Sequence, residues 1–153
     1  MSFYGCCVCG ACSYTLDVAS LPVTYACYCL DCQTMSGSAF TLQSIIPVSL
    51  LSMTGETIDW TRENARGKIV THRFCASCKT RLFSTNEERP GVAILRMGTL
   101  QDSSDVVPAV HMWVKRRQPW IGLPPDAETY PESVPAARMK ILFAPNFEST
   151  SPS

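Results

Sequence analysis

The sequence predicts a mainly β fold with one short helix, stapled by metal. Three observations carry that prediction. Short runs alternate between apolar and polar residues, Gly and Pro punctuate them, and nine cysteines fall largely into closely spaced groups. The chain has 153 residues, enough for one domain with a real core.

The elements follow from the pattern in chain order. In CSYTLDV (12–18), alternation places Cys12, Tyr14, Leu16 and Val18 on one face. AFTLQSII (39–46), SLLSM (49–53), KIVTHRF (68–74), VAILRM (92–97) and AVHMWV (109–114) also read as strands. Pro22, Gly37, Pro47, Gly55, Gly67, Pro90-Gly91 and Pro108 separate them. The helix candidate is 30–36, within LDCQTMSG, and Gly37 ends it in a left-handed cap. Beyond it the prolines at 119, 124, 125, 131, 135 and 145 predict an extended strap over the domain, with 148–153 disordered. The expected division is a metal-stapled domain over 1–131 and an extended Pro-rich tail over 132–153.

Composition narrows the function. Formal net charge is zero and the pI is near 6.7, so no basic excess favours nucleic acid or an anionic membrane. No apolar run approaches the roughly 20 residues that span a bilayer. The opening MSFYGCCVCG lacks the basic and apolar regions of a secretory signal, so the expected compartment is the cytoplasm. In that reducing setting, clustered cysteines are metal ligands or reactive thiols rather than bridges.

Seven cysteines form three groups: Cys7 and Cys9 in GCCVCG, Cys27, Cys29 and Cys32 in CYCLDC, and Cys75 and Cys78 in CASC. Positions i and i+2 of an extended chain share a face, so a C-x-C pair can aim both sulfurs at one ion. A C-x-x-C pair does so by folding into a knuckle. Zinc takes four such ligands in a tetrahedron, and Cys7, Cys9, Cys75 and Cys78 make one closed set. Cys27, Cys29 and Cys32 then remain as a triad. Three protein ligands with an open fourth position is the catalytic arrangement for zinc. Closure of the triad by His72 or His111, giving a second structural site, is the alternative. Cys6 and Cys12 read as small buried hydrophobes.

Five motifs in order, GCCVCGACSYTL, CYCLDCQTMSGSAF, RFCASCKTRLF, GTLQD and HMWVKRRQPW, resemble the glutathione-dependent formaldehyde-activating enzyme family, also called the CENP-V/GFA domain. The likeness runs from about Gly5 to Tyr130. It implies a β-tent fold related to zinc ribbons. It implies a structural zinc at Cys7, Cys9, Cys75 and Cys78 and a catalytic zinc at Cys27, Cys29 and Cys32. The activity it implies is that of a carbon–sulfur lyase or synthase, acting on glutathione or a related thiol adduct such as S-(hydroxymethyl)glutathione. Two positions depart from the family's pattern. Tyr28 stands where His is frequent, and Lys79 stands where Gly is common.

A zinc ion bound by three thiolates is an electron-rich, weak Lewis acid. It suits capture of a substrate thiol as thiolate better than activation of water. Polar candidates beside the triad are Tyr28, Asp31, Gln33 and Ser36. Glutathione's carboxylates call for cationic donors, with candidates Arg62, Arg66 and Lys68 in a polar loop, Arg73, and the run Lys115, Arg116 and Arg117. Trp113 and Trp120 read as core or pocket wall. The competing functional class is a non-catalytic, zinc-stapled protein-interaction module. A chromatin-binding version of it would carry a basic or Pro-rich N-terminal extension, and here the cysteine motifs begin almost at residue 1.

Overall fold

The computed structural model describes residues 2–148. Two sheets make up most of it. A three-stranded sheet has the order β1-β2-β5, from β1 (Phe3–Cys6), β2 (Ser13–Leu16) and β5 (Leu51–Thr54). The larger sheet has eight strands in the order β11-β10-β3-β4-β9-β8-β7-β6. Its members are β3 (Thr24–Cys27), β4 (Thr41–Pro47), β6 (Thr57–Glu63), β7 (Ile69–Cys75), β8 (Arg81–Asn86), β9 (Val92–Arg96), β10 (Pro108–Met112) and β11 (Thr129–Tyr130). All pairings are antiparallel except those of β10 with β3 and with β11. The mainly β class is therefore as the alternating runs predict. None of the helices among the described residues is long and apolar enough to cross a membrane.

The main core lies between the two sheets. Cys12, Tyr14, Leu16 and Val18, the expected inward face, are all buried there against Ile46, Leu82, Ala93, Leu95 and Met97. Gly5 faces Tyr14 across the β1–β2 pair, and a Cβ on it would meet the Tyr14 ring at 2.1 Å. The tyrosine ring needs that space, because its hydroxyl reaches the Thr99 hydroxyl at 2.8 Å.

Helix α1 (Leu30–Ser36) matches its expected span. Its cap is Gly37 at φ 65°, whose N–H donates to the Gln33 carbonyl. The segment after Pro119 departs from expectation. It contains a second helix, α2 (Ala136–Phe143), followed by a short 3-10 turn over 144–147. Prolines did not prevent this. Pro135 sits at the N-cap, where its missing N–H costs nothing, and AARMKILF holds good helix formers. Phe143 is buried edge-on against Tyr25, with ring centroids 5.6 Å apart. This segment is packed structure over the sheet rather than an extended strap. The expectation of disorder over 148–153 falls, from 149 on, outside the described residues.

Two further expectations are corrected by burial. Cys12 is buried, but Cys6 is exposed, because β1 turns that face to solvent. Trp120 is 74% exposed rather than core, while Trp113 is partly buried against the second core.

Candidate metal centres and the adjoining cleft

The sheet register brings Cys7, Cys9, Cys75 and Cys78 together. Cys7 and Cys9 lie in the turn after β1. Cys75 ends β7, and Cys78 follows in the next turn. All four sulfurs lie within 4.8 Å of one another. Cys7 to Cys9 is 3.6 Å and Cys9 to Cys75 is 3.8 Å. A tetrahedron with Zn–S bonds of about 2.3 Å has an edge of about 3.8 Å, so the spacing fits one ion. Backbone amides already point at the sulfurs, Cys12 N–H at Cys7 and Cys78 N–H at Cys75. The knuckle closes through Lys79, whose N–H donates to the Cys75 carbonyl. Lys79 adopts φ 64°, the left-handed conformation for which glycine is the usual residue.

Without a cation these four thiols compete for protons. The Thr80 hydroxyl, and then its backbone, holds Cys78 down to about 5. An amide bond from Ala11 favours the Cys9 thiolate, yet hydrogen bonds with the Cys7 and Cys78 sulfurs help push it up to about 12. A divalent ion removes that conflict by neutralising the sulfurs together.

The second group is Cys27, Cys29 and Cys32, again within 4.8 Å of one another. Cys27 ends β3, Cys29 is the N-cap of α1, and Cys32 lies in its first turn. The Cys29 sulfur accepts the Cys32 N–H at 3.4 Å, so the cap bond is made by a thiol. Hydrogen bonds from Cys27 and Cys29 drive Cys32 far below the usual thiol range, and the same contacts with Cys29 and Cys32 drive Cys27 far above it. One sulfur of the set thus favours the thiolate while another favours the thiol, and a cation shared by all three would remove that conflict. Among the described residues no histidine joins the set. His111 Nδ1 meets the Tyr28 hydroxyl at 2.9 Å, and His72 Nε2 accepts from Arg62 Nε at 3.3 Å. The closed alternative for the triad thus lacks its fourth ligand.

Tyr28 does not border the triad. It alternates to the opposite side of the sheet, packed with Ala26, Ala39 and Ile121, whereas Cys27 and Cys29 belong to the other cluster. Gln33 is committed to the Tyr28 and Arg116 carbonyls, at 2.7 and 3.0 Å. Asp31 is exposed and pairs with Arg62 at 3.2 Å. Of the four polar candidates, only Ser36 lines the adjoining cleft.

That cleft has a volume of about 660 Å³. Met35 and Ser36 of α1, Phe40, Trp60 and Phe74 form part of its wall, with Thr41 and Arg96 at the end nearest the cysteines. The sulfurs themselves are outside the wall, and polar side chains link them to it. Thr41 pairs with Cys27 across the sheet, and Gln43 Nε2 donates to Cys32 Sγ at 3.5 Å and to Thr41 Oγ1 at 2.5 Å.

The expected basic donors mostly go elsewhere. Arg66 pairs with Glu88, Arg73 with Asp59, and Lys115 with Glu132. The segment read as a polar loop is instead the end of β6 and a turn, and only Arg62 reaches toward α1. Arg81 and Arg96 were not candidates in the sequence, yet both line the cleft. Arg96 gave one overlooked signal. It stands in phase with Val92 and Ile94, which pack on the second core, so a charge sits on an apolar face.

Comparison with known proteins assigns the chain to a family. The family described as glutathione-dependent formaldehyde-activating enzyme matches residues 2–116. The chain belongs to that family. Its match spans both cysteine groups and every strand that frames the cleft. A crystal structure of a Rhodobacter sphaeroides protein shares the fold, with TM-score 0.51 and 14% identity over 83% of this chain and 98% of that one. No curated protein matches the chain. Membership points to a glutathione-related activity, and the two cysteine sets could each hold a metal ion.

Proposed function

We propose that this protein is a zinc-dependent carbon–sulfur lyase or synthase acting on glutathione or a related thiol adduct, with two zinc ions per chain. Cys7, Cys9, Cys75 and Cys78 form the structural site, and Cys27, Cys29 and Cys32 form the catalytic one. One observation carries the reading: a three-sulfur set with no fourth protein ligand among the described residues lies beside a cleft, in a chain of this family. When bound there, zinc supplies an open position that takes a substrate sulfur as thiolate and keeps it nucleophilic.

The chain's own residues do the rest. Gln43 and the Cys32 amide fix the sulfurs by donating to Cys32 and Cys29. Phe40, Trp60 and Phe74 give the cleft part of its apolar wall. In the synthetic direction a C–S bond forms between the thiol sulfur and the aldehyde carbon, and the thiol proton ends on the aldehyde oxygen. The lytic direction reverses each of these changes. Ser36, in the cleft wall, is our candidate to hand over that proton, its hydroxyl leaving the Gln33 carbonyl to do so.

Cys29→Ser tests the assignment, because serine still caps α1 and the fold should survive. The expected result is loss of one of two zinc ions by elemental analysis, together with loss of glutathione–formaldehyde exchange measured by NMR. A folded variant with both ions and full exchange activity overturns the proposal.

A further inference from the structure

The sheet face that carries Cys27 continues into a cationic pocket. Directly opposed residues on neighbouring strands share a face. Cys27 pairs with Thr41, and Gln43 pairs with Arg96. Farther across, Ile94 pairs with Ser84, Ser84 with His72, and His72 with Trp60, while Phe74 pairs with Arg81. Arg96, Arg81 and His72 therefore stand on the face that holds the triad.

Three buried side-chain polar atoms among the described residues have no hydrogen-bond partner, and all three are here: Arg81 Nε, Arg96 Nε and His72 Nδ1. All three are donors. Arg62 can only donate, so His72 Nε2 must accept from it, and the imidazole hydrogen then sits on Nδ1. Arg81 otherwise meets only the Met35 thioether, at 3.7 Å. Among the described residues the Arg96 guanidinium has no hydrogen bond, and neither arginine has a carboxylate partner. Burial, followed by the charge of Arg96, holds Arg81 down to about 10. Half-buried cations with orphaned donors and no carboxylate partner are costly, and native structures keep them where a partner arrives. Both arginines line the cleft, so the partner is an anion that enters by it. Arginine's planar fork matches a carboxylate.

We infer that Arg81 and Arg96 receive the carboxylate of a thiol substrate whose sulfur is held at Cys27, Cys29 and Cys32. This rests on the reading of the triad given above, and it names the residues that choose the substrate. It also sets a scale. Two strand spacings, about 9.6 Å, separate β3 from the strand of Arg96, and an arginine side chain spans much of that. The favoured substrates are thiols with a carboxylate a few bonds from sulfur. Neutral thiols of the same size are disfavoured.

The test is calorimetric titration of the zinc-loaded full chain with 3-mercaptopropionate and with 2-mercaptoethanol. The wild-type protein should bind the acid at least ten-fold more tightly. Arg96→Met and Arg81→Met should each abolish that ratio, leaving zinc content and 2-mercaptoethanol affinity unchanged. Arg96→Lys, which retains charge but loses the fork, should restore part of it. Equal binding of the two thiols by wild type overturns the inference and leaves the triad reading standing, and so does weakening of both thiols alike in the Met variants. Failure of both thiols to bind a zinc-loaded triad overturns both.

Discussion

Replacing Asn146 by alanine isolates the contribution of the C-terminal segment to the sheet. Tyr25 pairs with Gln43, so two residues farther along the same antiparallel register Val23 and Ile45 would form the next rung. The Asn146 side chain occupies that rung instead. Its Oδ1 accepts the Val23 N–H at 2.7 Å, and its Nδ2 donates to the Ile45 carbonyl at 2.9 Å, the Ser44 hydroxyl at 2.9 Å and the Val23 carbonyl at 3.2 Å. The residue is 2% exposed. Alanine removes all four bonds, but Ser44 still donates to the Val23 carbonyl at 2.6 Å. Two backbone groups, Val23 N–H and Ile45 C=O, are left without this partner. Each unmet buried group costs about 1–3 kcal/mol, and entry of a water offsets part of the sum, so the expected loss is about 3 kcal/mol. For a chain of this size that is a fall of about 6–12 °C in Tm. The assay is thermal and urea unfolding with zinc held at one free concentration. A loss below about 1 kcal/mol would refute the bridging role.

Asn146→Asp separates the bridge from mere packing. A carboxylate there still accepts from Val23 N–H, but it faces the Val23 and Ile45 carbonyls and cannot donate to them. Burial and those carbonyls favour the protonated form, so its folded pKa lies above the unfolded value of about 3.9. The stability it retains is present below that pH and is lost as pH rises through the folded pKa. The gap between the Asp variant and wild type should therefore widen from pH 4 to pH 7, while the Ala gap stays flat.

Three other outcomes follow from the same coordinates. Lys79→Gly should stabilise the protein by up to about 1 kcal/mol, because relief of the left-handed strain exceeds the added unfolded-state entropy; unfolding in urea measures it. Tyr28→Phe should cost about 1–2 kcal/mol by stranding His111 Nδ1, yet leave thiol binding unchanged, since the ring faces away from the triad. A fall in thiol affinity would contradict that placement. His72 should titrate near 4 by NMR, because burial and then the charges of Arg81, Arg62 and Arg96 oppose its protonation. Its folded pKa is depressed, so the unfolded chain takes up the proton first. Stability should be full above about 6.5 and fall as pH drops from there toward about 4.

The cysteine sets were legible in the sequence because their geometry is local. C-x-C and C-x-x-C fix two sulfurs each by backbone conformation alone, and ligand count then limits how the pairs combine. Helix α1 was equally local, with a capping residue at each end. The second helix was not, because the prolines around it outweighed its eight residues. What makes that segment structured is tertiary: Phe143 on Tyr25 and Asn146 in the missing rung. The anion pocket was hidden for a related reason. Arg81 and Arg96 lie on separate strands with no motif between them, and each alone looks like an ordinary strand arginine. Their proximity to Cys32 is a consequence of register, which joins β3, β4, β9, β8 and β7 edge to edge. Zinc ligands must be close in sequence or rigidly knuckled to hold one ion, so they leave a motif. A carboxylate can be met by any two guanidiniums that a sheet happens to align, so its receptor leaves none. On the inference drawn above, changes at strand positions 81 and 96 would alter the substrate while leaving the cysteine sets as they are, and in the sequence only the charge of Arg96 in phase with apolar neighbours betrays the pair.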